Sequence, residues 1–587
     1  MKRISNKIII GILSLNFVMI TSCEDFLDKQ PPGTAAGNAM ASAEGVEGIL
    51  IGAYDMLTGD WNLFGTAMAS DWTYGDVYSD NAYKGSSTGD QPFVNELEKY
   101  QTSPVSELMT HRWRDCYNGI SRANDALFFL KQTQEGNNPL PEERATEIEA
   151  EAKFLRAWYH FKATRIWENI PYVKTEEEMG IKPEEVPNDS PGWDEIESDL
   201  QFAIDNLGPE PPKGEAGRPT QWAAMAVKAH AHIYQSELDE AKTLLNNIIN
   251  NGGFALAAHY NDNYHSETEN NIESIFEIQV SATAEDRGAL SANLLGIPKA
   301  ALPYSTPGPT GWGFYQPSKD LFEAFQTTPE GLPILDKADR EPLANDMGIS
   351  SSEEFIPTDH PLDPRVDWTI LRRGIPFNNW GVFTGSNQIR EQANGGPFYT
   401  LKYMHYPDEV VTGNSTNARN FRAYRYSHVL LWRAEIAIEE NDFEYARELI
   451  NMIRNRAKNS EFRKGSVTTY VLDDQPTEEE INWEEDAANY VISEYPSGAD
   501  AFSTKEKARK AVRLEQRLEF ATEGQRFFDL RRWGIADEIL NDYIAKDSEF
   551  RSFLRGAAYE PDRDDYWPLP QDQLDIQKSL TQDPAYQ

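Results

Sequence analysis

Two clusters of side chains in this 587-residue sequence combine flat rings with polar groups. Trp72, Tyr74 and Tyr78 stand among Asp71, Asp76, Asp80 and Asn81, and Trp380 follows Asn378 and Asn379. Together they offer what a ligand with flat C–H faces and hydroxyl edges requires: apolar surface to lie on, and donors and acceptors to fix its orientation. The competing reading is that the rings pin their own loops to a scaffold. Signals for catalysis are weaker. Gly85-Ser86-Ser87-Thr88-Gly89 matches Gly-x-Ser-x-Gly in letters, but a nucleophile elbow needs a strand before it and a helix after it, and these residues read as a polar loop. No zinc-protease, phosphate-loop or dinucleotide motif occurs. His230 and His232 are two residues apart and face different ways on a helix, so they are expected in the core or at the surface and not as metal ligands. Asp562, Asp564 and Asp565 could hold a cation, and their spacing adds nothing further. A catalytic carboxylate pair is defined by a spatial separation of roughly 5–9.5 Å, which cannot be read from spacing in a chain with 95 acidic residues. No catalytic residue, metal or cofactor is expected.

The N-terminus is more specific. Lys2, Arg3 and Lys7 flank an apolar run from Ile8 to Ile20, broken only by Gly11, Ser14 and Asn16. The run is shorter than the ~20 apolar residues of a comfortable membrane span and has the layout of a secretory signal. It ends in Ile20-Thr21-Ser22-Cys23, which resembles the bacterial lipobox. Residues 1–22 are therefore read as a lipoprotein signal peptide and Cys23 as the lipidated residue. Glu24, Asp25 and Asp28, then Pro31-Pro32-Gly33, make residues 23–40 an anchor and extended tether. The acidic start resembles the surface-export signal of some Gram-negative lipoproteins, which implies the outer face of the outer membrane. Cys116 is then left without a disulfide partner. It falls on a helical pattern with Trp113, Tyr117 and Ile120, as a core residue does. A net charge of −40 argues against nucleic acid and anionic lipid as partners.

The elements that must position these residues are mainly helical. No low-complexity linker divides residues 41–587, which are expected as one unit. Residues 41–253 and 424–534 carry helical periodicity. Two segments read as helix hairpins with small residues at the contact: Trp222, Ala226, Ala229 and Ile233 against Ala241, Leu244 and Ile248, and Leu430, Ala434 and Ala437 against Phe443, Ala446, Ile450 and Ile453. This is the logic of tetratricopeptide repeats, which bury their faces only by stacking. Residues 254–423 are punctuated by Gly and Pro and read as loop-rich, with a strand over 274–280. Arg372, Arg373 and Arg390 could form a local basic patch there, and an acidic insertion at 473–486 has no assigned role.

Residues 511–534 read as one amphipathic helix with Leu514, Leu518, Ala521 and Phe528 on a face. Glu523, Arg526, Asp529 and Arg532 follow at i+3, where opposite charges meet. Glu515 and Glu519 repel at i+4, so their partners must come from other helices; Arg156, Arg454 and Arg456 are the candidates.

In chain order, several segments resemble the SusD/RagB family of outer-membrane nutrient-binding lipoproteins. They are the lipobox at Cys23, Lys153-Phe-Leu-Arg-Ala-Trp158, Arg218-Pro-Thr220, Ser274-Ile-Phe-Glu-Ile278, Gly311-Trp-Gly313 before Pro317, Asp363-Pro-Arg365, Leu401-Lys-Tyr403, Tyr424-Arg-Tyr426, Trp567-Pro-Leu-Pro570 and the tail 581–586. The resemblance implies a mainly α fold, tetratricopeptide-like helix pairs carrying a loop-rich ligand-binding half with short strands. It also implies a non-catalytic lipoprotein that binds oligosaccharide or polysaccharide and passes it to a SusC-like TonB-dependent transporter. On that reading the sugar contacts are expected from Trp72, Tyr74, Tyr78, Asp71, Asn81, Trp380 and Asn379, with Trp312 assigned to the scaffold. A lipid-anchored helical glycoside hydrolase and a tetratricopeptide adaptor for peptides are the alternatives.

Overall fold

The computed structural model describes residues 37–59, 68–280, 297–298, 310–409 and 419–587. The signal peptide, Cys23 and most of the tether lie outside the described residues. Helices α1 (Ala43–Asp55), α2 (Glu107–Glu135), α3 (Glu142–Trp167), α4 (Trp193–Asn206), α5 (Gln221–Tyr234) and α6 (Leu238–Asn251) pack each against the next. After the loop-rich half the series resumes: α7 (Tyr426–Glu439) packs on α6 and on α8 (Phe443–Asn459), and both meet α9 (Lys505–Glu519). The order follows from the small-residue faces. Ala226, Ala229, Ala241, Ala434, Ala437 and Ala446 are all fully buried, which lets helix axes close on one another. Among the described residues no helix is long and apolar enough to cross a membrane.

The two expected hairpins turn alike. Ser236 and Asn441 adopt φ of 62° and 65°, and the N–H groups of Glu237 and Asp442 reach back to the carbonyls of His232 and Ala437 at 2.9 and 2.8 Å. The fold is therefore mainly α, with paired helices as the repeat.

The loop-rich half is tied down by short antiparallel pairs. Strand β1 (Ala82–Gly85) joins β3 (Phe314–Pro317), β2 (Ser274–Ile278) joins β4 (Phe421–Arg425), and β5 (Lys464–Val467) joins β6 (Ile481–Asp486). The acidic insertion thus includes one strand of a hairpin, and its Gln475 both donates to and accepts from the Val382 backbone at 2.8 Å.

The stretch 511–534 is not one helix. It breaks after Glu519 and resumes as α10 (Arg526–Arg532), ahead of α11 (Ala536–Phe550). Thr522 and Gly524 take φ of 60° and 78°, and another backbone fills the gap. A Cβ on Gly524 would lie 1.8 Å from the Ser70 carbonyl oxygen, and one on Gly75 would lie 1.8 Å from the Gly524 carbonyl oxygen. Only glycine permits that crossing. The i+3 charge series survives only as Asp529–Arg532, at 2.8 Å.

Glu515 is met by Arg365 at 2.7 Å and Arg454 at 3.1 Å. Glu519 is met by Arg365 at 3.0 Å, Arg425 at 2.5 Å and Arg456. Burial alone would raise the Glu519 pKa, but Arg456, Arg425 and Arg365 outweigh it and hold the carboxyl well below its usual range. Arg156 is a correction: it turns to Asp199 at 2.7 Å and Glu178 at 2.8 Å. Its helix, α3, packs on α4, which carries Asp199.

Candidate functional site

The aromatic segment beside Asp71 lies in the interior. Trp72, Tyr74 and Tyr78 are at most 1% exposed. Trp72 packs on Tyr315 with centroids 5.1 Å apart, and Trp567 receives Tyr74 and Tyr78 at 5.5 and 4.6 Å. Their polar neighbours are equally committed. Asp71 takes Arg112, Lys162 and Arg165 at 2.5, 2.5 and 3.3 Å. Against the upward pull of burial, Lys162, Arg112 and Arg165 keep its carboxyl below the ordinary value. Asp80 pairs with Arg517 at 3.0 Å and Arg526 at 2.8 Å. Asn81 accepts from Arg517 at 2.9 Å and donates to Asp76 at 3.1 Å. Asp76 also accepts from the Tyr315 hydroxyl and the Gly524 N–H, yet burial prevails and raises its pKa.

Trp72, Tyr74, Tyr78, Asp71 and Asn81 are therefore corrected from ligand contacts to clamps. A ring without an open face offers none to a sugar, and these carboxylates and amides already have partners. The cations that engage them, Arg112, Lys162 and Arg165 on Asp71 and Arg517 on Asn81, come from distant parts of the chain, so no local spacing announced them.

The clamp does position a surface. Leaving β1, the chain turns at Gly85, and the Ser86 N–H donates to the Gly313 carbonyl at 2.7 Å. Loop 86–90 is thereby set beside Trp312, which stands 47% exposed. The Arg390 guanidinium lies 5.1 Å from the Trp312 ring centroid and bonds Asp90 at 2.5 Å and the Ser86 hydroxyl at 2.8 Å. Glu391 accepts from the Thr88 N–H at 3.1 Å, and the Asn394 amide donates to the Gly85 carbonyl at 2.9 Å. The result is a half-open indole braced by a cation, beside a loop that carries the exposed Thr88 and the partly exposed carboxylates of Asp90 and Glu391. Trp312, assigned to the scaffold from sequence, is an exposed ring, and sequence spacing had no means of separating it from its neighbours.

Trp380 marks a second surface. The turn from Phe377 to Gly381 closes with Phe377 N–H on the Gly381 carbonyl at 2.9 Å, and Asn378 and Asn379 take φ of 42° and 60°. Asn379 is exposed and Trp380 half-buried, its indole N–H fixed on the His405 carbonyl at 2.8 Å. Trp483 of β6 and Pro376, at the foot of this turn, both close on Gly465: a Cβ there would lie 2.6 Å from the proline and 2.9 Å from the indole. Trp483 is 44% exposed, so the insertion adds an aromatic ring to this side.

The remaining candidates resolve as structure. Arg372 is buried on Asp367 at 2.7 Å, and Arg373 donates to the carbonyls of Ser350, Ser351 and Glu353. Only Arg390 of that expected basic patch reaches the surface. Strand β1 does precede Ser87, but turns and bends run on to residue 93 before the short helix Val94–Glu98 begins, so the sharp strand-to-helix turn of a nucleophile elbow does not form. Asp564 caps the Glu560 N–H and Asp565 accepts from Tyr559, so these acids are engaged separately. Cys116 is buried, and burial pushes its thiol up to about 12. His230 is buried on the Tyr424 hydroxyl at 2.8 Å. A cleft of about 850 Å³ opens on the scaffold beside Arg114, Asn118 and Phe128. Its larger ring is closed, because Trp113 is 3% exposed and stacks on Tyr117 at 4.3 Å.

Comparison with known proteins points one way. The SusD family model matches residues 272–586, and a model described as starch-binding, associating with the outer membrane, matches residues 25–234. A SusD-like protein, P25, of Formosa agariphila is 24% identical over 548 residues, 89% of this chain and 89% of its own. Surface glycan-binding protein A from Bacteroides uniformis superposes with a TM-score of 0.67 at 21% identity, covering 93% of this chain and 100% of that one. Surface glycan-binding protein A from Bacteroides thetaiotaomicron, solved in complex with laminarihexaose, superposes with a TM-score of 0.63 at 18% identity, covering 92% and 99%.

Proposed function

Because this chain belongs to the SusD family, we propose that it is a surface glycan-binding lipoprotein which captures oligosaccharide or polysaccharide without cleaving it. The observation that carries this reading is the half-exposed Trp312 ring, braced by Arg390 and edged by Thr88, Asp90 and Glu391. An indole face takes the C–H side of a pyranose, and the surrounding groups fix its hydroxyls. Trp380 and Asn379 form a second contact further along the ligand. The related surface glycan-binding proteins, one of them solved with laminarihexaose, support a neutral sugar polymer as the ligand class.

Cys23 carries the lipid, residues 23–40 tether the protein to the outer face of the outer membrane, and a SusC-like TonB-dependent transporter receives the ligand. Handover to such a transporter accords with the outer-membrane association in the description of the model that matches residues 25–234. The test is a glycan array on the full-length protein, followed by calorimetry and a reducing-end assay. Binding without release of reducing ends, lost in Trp312→Ala, is expected. Release of reducing ends, or binding to no glycan, overturns the reading. Co-purification of a TonB-dependent transporter tests the partner, and mass spectrometry of the N-terminal peptide tests the lipid at Cys23.

A further inference from the structure

The two helix hairpins share a turn but finish it differently. At the start of α8, Asp442 accepts from the Tyr445 N–H at 3.2 Å, as an N-cap does. Glu237 stands at the same position before α6, and its side chain caps nothing. Its carboxylate turns back instead to His232 Nδ1, at 2.7 Å. From the other side Glu197 of α4 brings Oε1 to 3.6 Å from the same nitrogen, and the Gln235 amide steadies that carboxylate at 2.7 Å. Three ligand atoms, from α4, α5 and the turn before α6, thus lie within 4.8 Å of one another.

His232 is only 5% exposed, and its Nδ1 can offer a single proton, so it satisfies one of the two acids facing it. Among the described residues, neither Glu197 nor Glu237 has a lysine or arginine in ion-pair contact. Lys228, which is near both, donates to Gln201 at 2.9 Å.

We propose that Glu197, His232 and Glu237 bind a divalent transition-metal ion of the zinc type. One imidazole nitrogen with two carboxylate oxygens suits zinc and not calcium or magnesium, which take oxygen ligands. Ligand bonds of about 2.0–2.2 Å around a tetrahedron leave the fourth position to water. The ligand that must give is Glu237, because its distance to His232 is that of a hydrogen bond and a shared metal sets ligands further apart. It can do so, being on an open turn with a side chain 44% exposed. The ion would tie α4 to the α5–α6 hairpin, so it would stabilise the scaffold in proportion to its occupancy.

The test uses full-length protein stripped with a chelator and titrated with zinc chloride by calorimetry, with cobalt as a spectroscopic substitute. One equivalent of zinc is expected with micromolar or tighter Kd, a rise in thermal midpoint, and cobalt bands of a four-coordinate nitrogen–oxygen site. Glu197→Gln and Glu237→Gln are each expected to weaken zinc at least tenfold while leaving the thermal midpoint of the stripped protein unchanged. Calcium at the same concentration should do neither. Absence of one-to-one zinc binding, or affinity retained in both glutamine variants, overturns the assignment.

Discussion

The segment 71–83 and the surface around Trp312 are built from similar residues and end in opposite places. Both set aromatic side chains beside acids, and β1–β3 pairing joins them. In the first, Asp71 and Asp80 each receive at least two cations and the rings vanish into the core. In the second, one arginine serves one acid and the indole remains half open. Polar neighbours are paired in both places; what differs is that the scaffold covers the rings of the first and leaves the indole of the second half open. Buried ion pairs of this kind contribute little net stability over apolar packing, but they fix where the chain crosses.

The sharpest way to break this contrast is at that crossing. Gly524→Ala places a methyl group against the Ser70 carbonyl and should cost more than about 4 kcal/mol, seen as insoluble protein or a collapsed urea midpoint. A well-folded alanine variant would show that the crossing is not rigid. Next in size, Trp72→Ala opens a core cavity and should destabilise by about 3–5 kcal/mol, read from urea unfolding, with glycan affinity of the folded protein unchanged. Loss of affinity at unchanged stability would return Trp72 to the ligand.

Glu523, paired with Lys402 at 2.7 Å and with the Arg425 that also meets Glu519, tests the buried charge network by pH. Burial opposes its ionisation, but Arg425 and Lys402 prevail and its folded pKa is about 2. Its contribution is thus complete above the ordinary carboxylate value of 4.5 and is lost as pH falls from there towards 2. Urea midpoints measured between pH 5 and 2.5 should fall, and the fall should be shallower in Glu523→Gln. Smaller still in stability, Trp312→Ala should leave unfolding within about 0.5 kcal/mol of the parent and weaken glycan binding by roughly tenfold or more, about 1.4 kcal/mol. Trp380→Ala, at the second surface, should weaken it severalfold in the same calorimetric assay. If Trp380→Ala exceeds Trp312→Ala, the order of the two surfaces is reversed.

Much of the architecture was legible from side-chain period. The alanine faces of 222–248 and 430–453 predicted paired helices, and Arg454 and Arg456 were found as partners for Glu515 and Glu519 because like charges on one helix face demand cations elsewhere. Residues 511–534 were misread as one helix because the break at Thr522 and Gly524 is imposed by the backbone of residues 70–75, which no local pattern announces. The burial of Trp72 and the exposure of Trp312 were not legible for a related reason. Sequence fixes that a ring is apolar and which acids stand beside it, since those are properties of the chain itself. Whether the ring faces water depends on which arginine, from hundreds of residues away, reaches its neighbouring carboxylate. Arg517 and Arg526 reach the Asp80 carboxylate, whereas among the described residues the Asp90 carboxylate pairs with Arg390 and Lys84 goes to the Asp90 backbone carbonyl. That competition for partners exists only once the helices have packed.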